Sequence, residues 1–452
     1  MYMQIKVNLA QRLILKYNLM VFGGESMKIA FFTLGCKVNQ YESQAMAERM
    51  VKCGFELVSP NEKADVYVIN SCTVTAESDR KTRQTVRRFK RKNPDSIVVL
   101  TGCMPQAFPD DAKALNEADI VLGNKNNIRL PEFIERYFSC SQRVIEIENH
   151  ETGDKFIGDS ISGFEGRTRA IVKIEDGCNR FCSYCIIPYS RGRVRSKPID
   201  ELESELRTLS DAGFIEIVLV GINLSSYGSD IGLNICDAVE LAAGMSFERI
   251  RLGSLEPDHI TDDVIERLAK IDKFCPQFHI SLQSGCDNTL KAMNRHYTSA
   301  EYRELCTKLR AAFNDTTITT DIMVGFPTES EADFIDNVNF AKEIGFEKVH
   351  VFPYSPREGT RAAKMEQIEK NVKEKRSHIM IEETEKVRHS FLNSQIGKTV
   401  EVLLETRHDE QFTEGYTKNY TPVKVIGSHP CGKVVTAEIT AVDGDFCIAN
   451  IL

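Results

Sequence analysis

Between residues 27 and 140, short runs of consecutive apolar residues alternate with stretches of helical period, the pattern of a parallel α/β sheet. Three runs read as strands: 28–34, 66–70 and 97–100. From about 164 to 394, six more strand-like runs are separated by helix-length segments, at 170–175, 216–223, 249–255, 278–283, 320–326 and 348–354. Repeated strand–helix units of this spacing predict a partial (βα)6 barrel, with its chemistry at the carboxyl ends of the strands. Residues 364–391 are highly charged at helical period and are expected to close the barrel, with the charges as a solvated face. From Gln395 onward the period changes to two, with glycine-bearing turns, and 400–404 and 434–439 read as strands of a small antiparallel β-barrel. The fold class is therefore α/β, in three units at 27–140, 164–394 and 395–452.

Residues 1–26 fit this scheme poorly. Lys6, Arg12 and Lys16 interrupt their apolar positions, no small-residue cleavage site follows, and a strong strand begins abruptly at Met27. Translation is expected to start at Met27, leaving 1–26 as an extension outside the native protein. No apolar stretch reaches the ~18 residues of a spanning helix. Fourteen cysteines without a secretory signal point to a reducing, cytoplasmic setting and to metal chemistry. A net charge of −8 does not mark a nucleic-acid binder, so any such role rests on local basic patches.

The densest chemistry is the run Glu175-Asp176-Gly177-Cys178-Asn179-Arg180-Phe181-Cys182-Ser183-Tyr184-Cys185. Three thiolates on one tight loop suit an iron–sulfur cube, which takes a thiolate on each iron. No further cysteine occurs before Cys236, and no histidine lies between His150 and His259. One iron is left open to a small molecule, as catalytic metal sites keep a free position, and a zinc knuckle lacks its fourth ligand. A disulfide framework belongs to small secreted domains. The three N-terminal strands also run almost directly into cysteines, Cys36, Cys72 and Cys103. Sites in open parallel sheets form at the carboxyl ends of strands, so these thiols are expected to meet and hold a second cluster. Three cysteines that merely pack would explain burial but not the repeated placement.

The Cys178–Cys185 run resembles the radical S-adenosylmethionine (SAM) superfamily, in which the open iron chelates SAM and reductive cleavage yields a 5′-deoxyadenosyl radical. Both triads with the terminal barrel look like the methylthiotransferases of that superfamily, across essentially all of residues 27–452. Supporting runs are Thr33-Leu34-Gly35-Cys36-Lys37-Val38-Asn39, Asn70-Ser71-Cys72-Thr73-Val74-Thr75, Pro188-Tyr189-Ser190-Arg191-Gly192, Leu255-Glu256-Pro257, Ser281-Leu282-Gln283-Ser284-Gly285 and Val324-Gly325-Phe326-Pro327-Thr328-Glu329. Glu414-Gly415-Tyr416-Thr417-Lys418-Asn419-Tyr420 resembles the TRAM module, an RNA-binding barrel. One departure is Met104-Pro105-Gln106 after Cys103, where the family shows a small residue before the glutamine; the proline predicts an altered loop there. Lys37-Val38-Asn39 and Thr73-Val74-Thr75 look like the branch acting on threonylcarbamoyladenosine in tRNA.

The resemblance implies two 4Fe–4S clusters, held by Cys36, Cys72 and Cys103 and by Cys178, Cys182 and Cys185, with two SAM molecules per turnover. One methylates a cluster-held sulfur and the other is cleaved, and the product is the 2-methylthio nucleoside next to the anticodon. No catalytic side chain is implied beyond the cluster ligands. Tyr184 stands where the family places a residue near the adenine. By position, Gly221 leaves room for the methionine amino group, Ser281 and Gln283 fall at ribose or carboxylate contacts, and Val324 with Gly325 lies near the adenine. An electron donor and a sulfur source are required partners, no membrane is, and a monomer is the simplest expectation.

Two basic runs are candidates for the anticodon stem–loop: Arg80, Lys81, Arg83, Arg87, Arg88 and Lys90–Lys92, then Arg191, Arg193, Arg195 and Lys197. Against a solvated face stands the mutual repulsion of eight cations with no acid among them. From Gln395 onward, five Lys or Arg face eight Asp or Glu, so that module is acidic, and Tyr416 and Tyr420 are its candidates for stacking on bases. An acidic barrel also suits a basic protein substrate, which keeps an aspartate of a ribosomal protein as an alternative, beside isopentenyladenosine in tRNA. A non-catalytic electron carrier with two clusters is the alternative of another class; an open iron gains such a carrier nothing.

Overall fold

The computed structural model describes residues 26–164, 168–407 and 411–452, so the reading of residues 1–26 lies almost wholly outside the described residues. Six parallel strands come first: β1 (Lys28–Thr33), β2 (Glu56–Leu57), β3 (Val66–Ser71), β4 (Ile97–Gly102), β5 (Ile120–Leu122) and β6 (Val144–Glu146), in spatial order β2-β1-β3-β4-β5-β6. Successive side chains of a strand point to opposite faces, and both faces are covered. Ile29, Val66, Val68, Ile97 and Val99 pack with Met46 and Met50 of helix Lys37–Lys52 and with Phe133 and Ile134 of helix Leu130–Cys140. Their neighbours Ala30, Tyr67, Ile69, Val98 and Leu100 pack with Val86 and Phe89 of helix Ala76–Lys92. Burial on both sides is why these strands are written as unbroken apolar runs.

The central unit contains β7 (Arg169–Lys173), β8 (Glu175–Asp176), β9 (Arg195–Ser196), β10 (Glu216–Val220), β11 (Arg249–Leu252), β12 (Ser254–Leu255), β13 (Gln277–Ile280), β14 (Thr317–Val324) and β15 (Lys348–Pro353). Its long strands are all parallel, in two sheets ordered β11-β10-β7 and β12-β13-β14-β15. The run expected as one strand at 249–255 divides at Gly253, its first half pairing with β10 and its second with β13. β8 and β9 pair antiparallel, Glu175 opposite Ser196 and Asp176 opposite Arg195. Together they pinch off the loop that carries Cys178, Cys182 and Cys185.

Helix Lys370–Asn393 packs against β15 and helix Glu331–Ile344. Only part of it is the solvated face expected from its charges. Arg376 and Arg388 are buried, Arg376 on Glu329 at 2.8 Å and Arg388 on Glu347 at 2.9 Å. The chain ends in β16 (Thr399–Arg407), β17 (Phe412–Thr417), β18 (Pro422–Ile426), β19 (Val434–Asp443) and β20 (Phe446–Ile451), a closed barrel ordered β16-β17-β18-β20-β19 with one parallel pair, β18 and β20. Val402, Leu404, Val423, Val425, Ile439 and Cys447 fill it. Cys447 is part of this core, whereas Cys431 is exposed.

This barrel docks on the amino ends of the central strands. Arg249 donates to the carbonyls of Tyr416 and Glu401, both at 3.0 Å, and Thr317 to the carbonyl of Asn419 at 2.5 Å. No helix among the described residues is long and apolar enough to cross a membrane.

Candidate functional site

Register brings Cys36, Cys72 and Cys103 to one sheet edge. Thr33 pairs with Asn70, Asn70 with Thr101 and Ser71 with Gly102, so Cys72 and Cys103 leave adjacent strands at the same level. Cys36 stands at the N-cap position of helix Lys37–Lys52, without a side-chain capping hydrogen bond. Asn39, one turn on, donates to the carbonyls of Leu34 at 3.0 Å and Ser71 at 2.9 Å, and its Oδ1 lies 3.5 Å from Cys36 Sγ. Burial pushes both buried thiols up, Cys72 against hydrogen bonds from the Val74 amide and Ser78, and Cys103 to about 12 against the pull of the Arg191 guanidinium. The expected disturbance at Met104-Pro105-Gln106 is absorbed. Pro105 lies in the opening turn of helix Cys103–Ala107, whose amides have no helical partner in any case. Gln106 Nε2 donates to the Glu148 carbonyl at 2.8 Å.

The second triad is held inside the pinched loop. Cys178 N donates to the Gly192 carbonyl and Cys185 N to the Cys182 carbonyl, both at 3.0 Å. Arg295 Nη1 lies 3.5 Å from Cys182 Sγ, and Arg180 N lies 3.5 Å from Cys178 Sγ. Burial pushes the Cys178 thiol to about 12 and the Cys185 thiol higher still. Among the described residues, no three His, Cys, Asp or Glu side chains converge on a single metal ion.

One segment ties the two triads together. Ser190 Oγ donates to the Cys103 carbonyl at 3.2 Å, Arg191 Nε to Cys103 Sγ at 3.2 Å, and Gly192 accepts from Cys178. Arg191 is fully buried, its other nitrogens on Glu42 and on Asn39 Oδ1 at 3.1 Å. Glu42 also receives Lys173 at 2.8 Å.

Known families match three stretches of the chain. Residues 28–123 match the Uncharacterized protein family UPF0004, 172–341 the Radical SAM superfamily and 393–452 the TRAM domain. The chain is 39% identical to the threonylcarbamoyladenosine tRNA methylthiotransferase MtaB of Bacillus subtilis, over 91% of this chain and 93% of that protein. The chain belongs to the radical SAM methylthiotransferases. Its identity to the protein of the same name from Aquifex aeolicus is 37%, over 90% of this chain and 99% of the other. A tRNA-2-methylthio-N(6)-dimethylallyladenosine synthase of Clostridium novyi is 35% identical over 90% of this chain and 93% of its own. Among solved structures, the radical SAM methyltransferase TsrM of Kitasatospora setae, with cobalamin and a 4Fe–4S cluster bound, shares the fold. It aligns at 13% identity with a TM-score of 0.53, over 75% of this chain and 77% of that one.

In this methylthiotransferase the positions expected to meet SAM divide. A side chain at Gly221 would come 2.6 Å from Glu175 Oε2, so the glycine admits the Glu175 carboxylate, which accepts from Asn223 N at 2.7 Å. Glu175 Oε1 and Asn223 Oδ1 are buried without a hydrogen-bond partner among the described residues. Two orphan acceptors beside the cluster loop suit an ammonium group such as that of SAM. Nothing in the sequence marked either residue beyond the adjacency of Glu175 to the first cysteine. Ser281 uses its carbonyl on Arg295 and Tyr297, and buried Gln283 takes a left-handed φ of 67°. Tyr184 packs with Met293, Met323 and Phe326. Val324 is buried, and Gly325 (φ 69°) faces Lys373, whose Cγ would lie 2.2 Å from an added Cβ. Lys373 therefore fills the space into which a side chain at Gly325 would project.

The RNA candidates divide too. Arg191, Arg195 and Lys197 are buried, on Glu42, Asp176 and Glu205, and cannot touch phosphate; of that run, Arg193 is exposed, lying over the Phe181 ring at 4.6 Å. On helix Ala76–Lys92 the cations do have acids: Arg80 pairs with Glu77, Arg83 with Asp111, Arg87 with Glu117 and Lys90 with Asp119. Arg88 lies over Phe32 and Phe89, and Lys81 is exposed. Tyr416 and Tyr420 stack on each other at 4.4 Å beneath Arg169, half-buried. They wall a cavity of about 850 Å³ together with Cys36, Lys37, Gly221, Gly253, His279 and Asp321. One face of the pair is already taken, so they are a cavity wall rather than an open stacking platform.

Proposed function

We propose that this chain places a methylthio group on carbon 2 of threonylcarbamoyladenosine next to the anticodon of tRNA, with SAM and two 4Fe–4S clusters as cofactors. The observation that carries the reading is 39% identity across 91% of the chain to a methylthiotransferase named for that nucleoside. The geometry supports it with two cysteine triads joined through Ser190–Gly192.

Carbon 2 of adenine carries an unactivated C–H bond that no side-chain acid or base removes near neutral pH, and the SAM-bound cluster is what supplies radical chemistry here. Cys178, Cys182 and Cys185 would hold that cluster, with Glu175 and Asn223 receiving the SAM ammonium across Gly221. Cys36, Cys72 and Cys103 would hold the other, with Arg191 donating to the Cys103 sulfur. Tyr416, Tyr420 and the central strands would wall the cavity that opens beside Cys36. Lys81, Arg80, Arg83, Arg87, Arg88 and Arg193 reach the RNA backbone, whose target base must be splayed out of its loop. The setting is the cytoplasm, with an electron donor and a sulfur source as further partners.

Nucleoside mass spectrometry of a deletion strain tests this. The methylthio form of threonylcarbamoyladenosine should vanish and return on complementation. Loss of the isopentenyladenosine derivative instead, or an unchanged tRNA profile with a lighter ribosomal protein, would overturn it. Anaerobically reconstituted protein should bind about eight irons, and about four once Cys36, Cys72 and Cys103 are changed to alanine.

A further inference from the structure

We propose that Lys37 is a carboxylate-binding residue of the substrate cavity, and that through it the enzyme prefers an N6 substituent ending in a carboxylate over an aliphatic one. This rests on the substrate reading above, since threonylcarbamoyladenosine carries such a carboxylate and isopentenyladenosine does not.

Most cations in and around the cavity already have acids. Arg169 is bound to Glu405 at 2.5 Å, Arg251 to Glu216 at 3.0 Å, and Arg388 to Glu347 at 2.9 Å and Asp445 at 2.7 Å. Lys348, at another part of the wall, acts on Glu347 and Asp445. Lys37 has no hydrogen bond or ion pair among the described residues. Its strongest charged neighbours are Arg169 and Arg251, cations like itself, ahead of Glu216. The side chain is solvent-accessible, yet it belongs to the wall of a cavity of about 850 Å³ and adjoins Cys36 on that wall.

Lys37 is therefore a cation on the cavity wall with no anion of its own, and a ligand carboxylate supplies one through a charge-assisted hydrogen bond. The location matters as much as the charge. Cys36 belongs to the triad proposed to hold the sulfur-bearing cluster, so the target nucleobase must come close to it, and a substituent on that base falls within the same cavity. An isopentenyl group would leave Lys37 desolvated and unpaired, and a site with an unmet polar group discriminates strongly. A phosphate of the RNA backbone is the other anion that could serve, and it differs by being present on every tRNA.

The test uses reconstituted holoenzyme and three anticodon stem–loops, carrying threonylcarbamoyladenosine, isopentenyladenosine or plain adenosine at the target position, with affinity read by fluorescence anisotropy. Lys37→Gln should weaken binding of the threonylcarbamoyl loop about thirtyfold, roughly 2 kcal/mol, and leave the other two within about twofold. Lys37→Arg should restore most of the loss. An equal loss on all three loops would make Lys37 a phosphate contact and overturn the inference, as would no loss on any. Turnover of the wild-type enzyme on the two modified loops is scored separately. Methylthiolation of the isopentenyl loop alone would sink the substrate reading, whatever Lys37 does to affinity. A melting curve matching wild type shows that the Lys37→Gln protein is folded.

Discussion

Removing the Arg191 guanidinium would leave the buried Glu42 carboxylate with Lys173 as its one close partner and take a donor from Cys103 Sγ. Deleting one partner of a buried ion pair costs about 3–5 kcal/mol. Arg191→Gln should therefore lower stability by that order in urea melts, while the salt dependence of tRNA binding keeps its wild-type slope; a shallower slope would return Arg191 to the RNA surface. Glu175 gives a second expectation. Burial pushes its carboxyl well above the usual range, and one of its oxygens has no partner. Glu175→Leu should weaken SAM binding about tenfold in equilibrium dialysis, as loss of a hydrogen bond to a charged group does, with tRNA affinity unchanged. Unaltered SAM affinity would leave the orphan oxygen without a ligand role. Cysteine spacing was legible because ligation demands a residue type at a fixed interval. The fate of Arg191 was not, because its partner Glu42 lies 149 residues earlier, and a basic run says nothing about which acids the fold will set against it.

At the scale of elements, helix Ala76–Lys92 separates two kinds of cation. Arg80 and Arg87 already have carboxylates, on Glu77 and Glu117, whereas Lys81 is exposed and makes no hydrogen bond or close ion pair among the described residues. Each phosphate contact contributes about 0.7–0.9 to the slope of log affinity against log salt. Lys81→Ala should lower that slope by nearly a full contact, and Arg80→Ala by less, because its pairing with Glu77 already offsets part of its charge. Equal effects would mean that these surface ion pairs give way when RNA binds. The same helix shows what a sequence reveals about elements. Strands β3 and β4 are apolar over their first four residues because helices cover both their faces, so their pattern survives inspection residue by residue. The pair β8 and β9 is two residues long in each strand and made of Glu, Asp, Arg and Ser. No periodicity exists in so short a segment, yet this pair shapes the cluster loop.

The whole molecule is held at the junction of its first two units by a chain of contacts that passes through one imidazole. His150 Nε2 lies 2.8 Å from Asn124 Oδ1, Asn124 Nδ2 donates to the Ser190 carbonyl at 2.8 Å, and Ser190 Oγ reaches the Cys103 carbonyl. Burial, with Arg195 nearby, lowers the His150 imidazole to about 4, against about 6.5 in an unfolded chain. Below pH 6.5 the unfolded chain binds a proton that the folded protein refuses. The stability tied to neutral His150 is thus complete above pH 6.5 and drains away as pH falls towards 4, by up to about 3 kcal/mol at 1.36 kcal/mol per pH unit. Two acids act on the ring against this, Asp176, itself paired with Lys173 at 2.7 Å, and Asp154, 3.6 Å from Nδ1 and held by Lys125 at 3.0 Å. Urea melts of wild type and His150→Asn at pH 7, 6 and 5 measure this. The wild type should lose stability relative to the variant on going from pH 7 to pH 5, by about 2 kcal/mol. Parallel curves would mean that the imidazole takes its proton inside the folded protein and that the junction tolerates the charge.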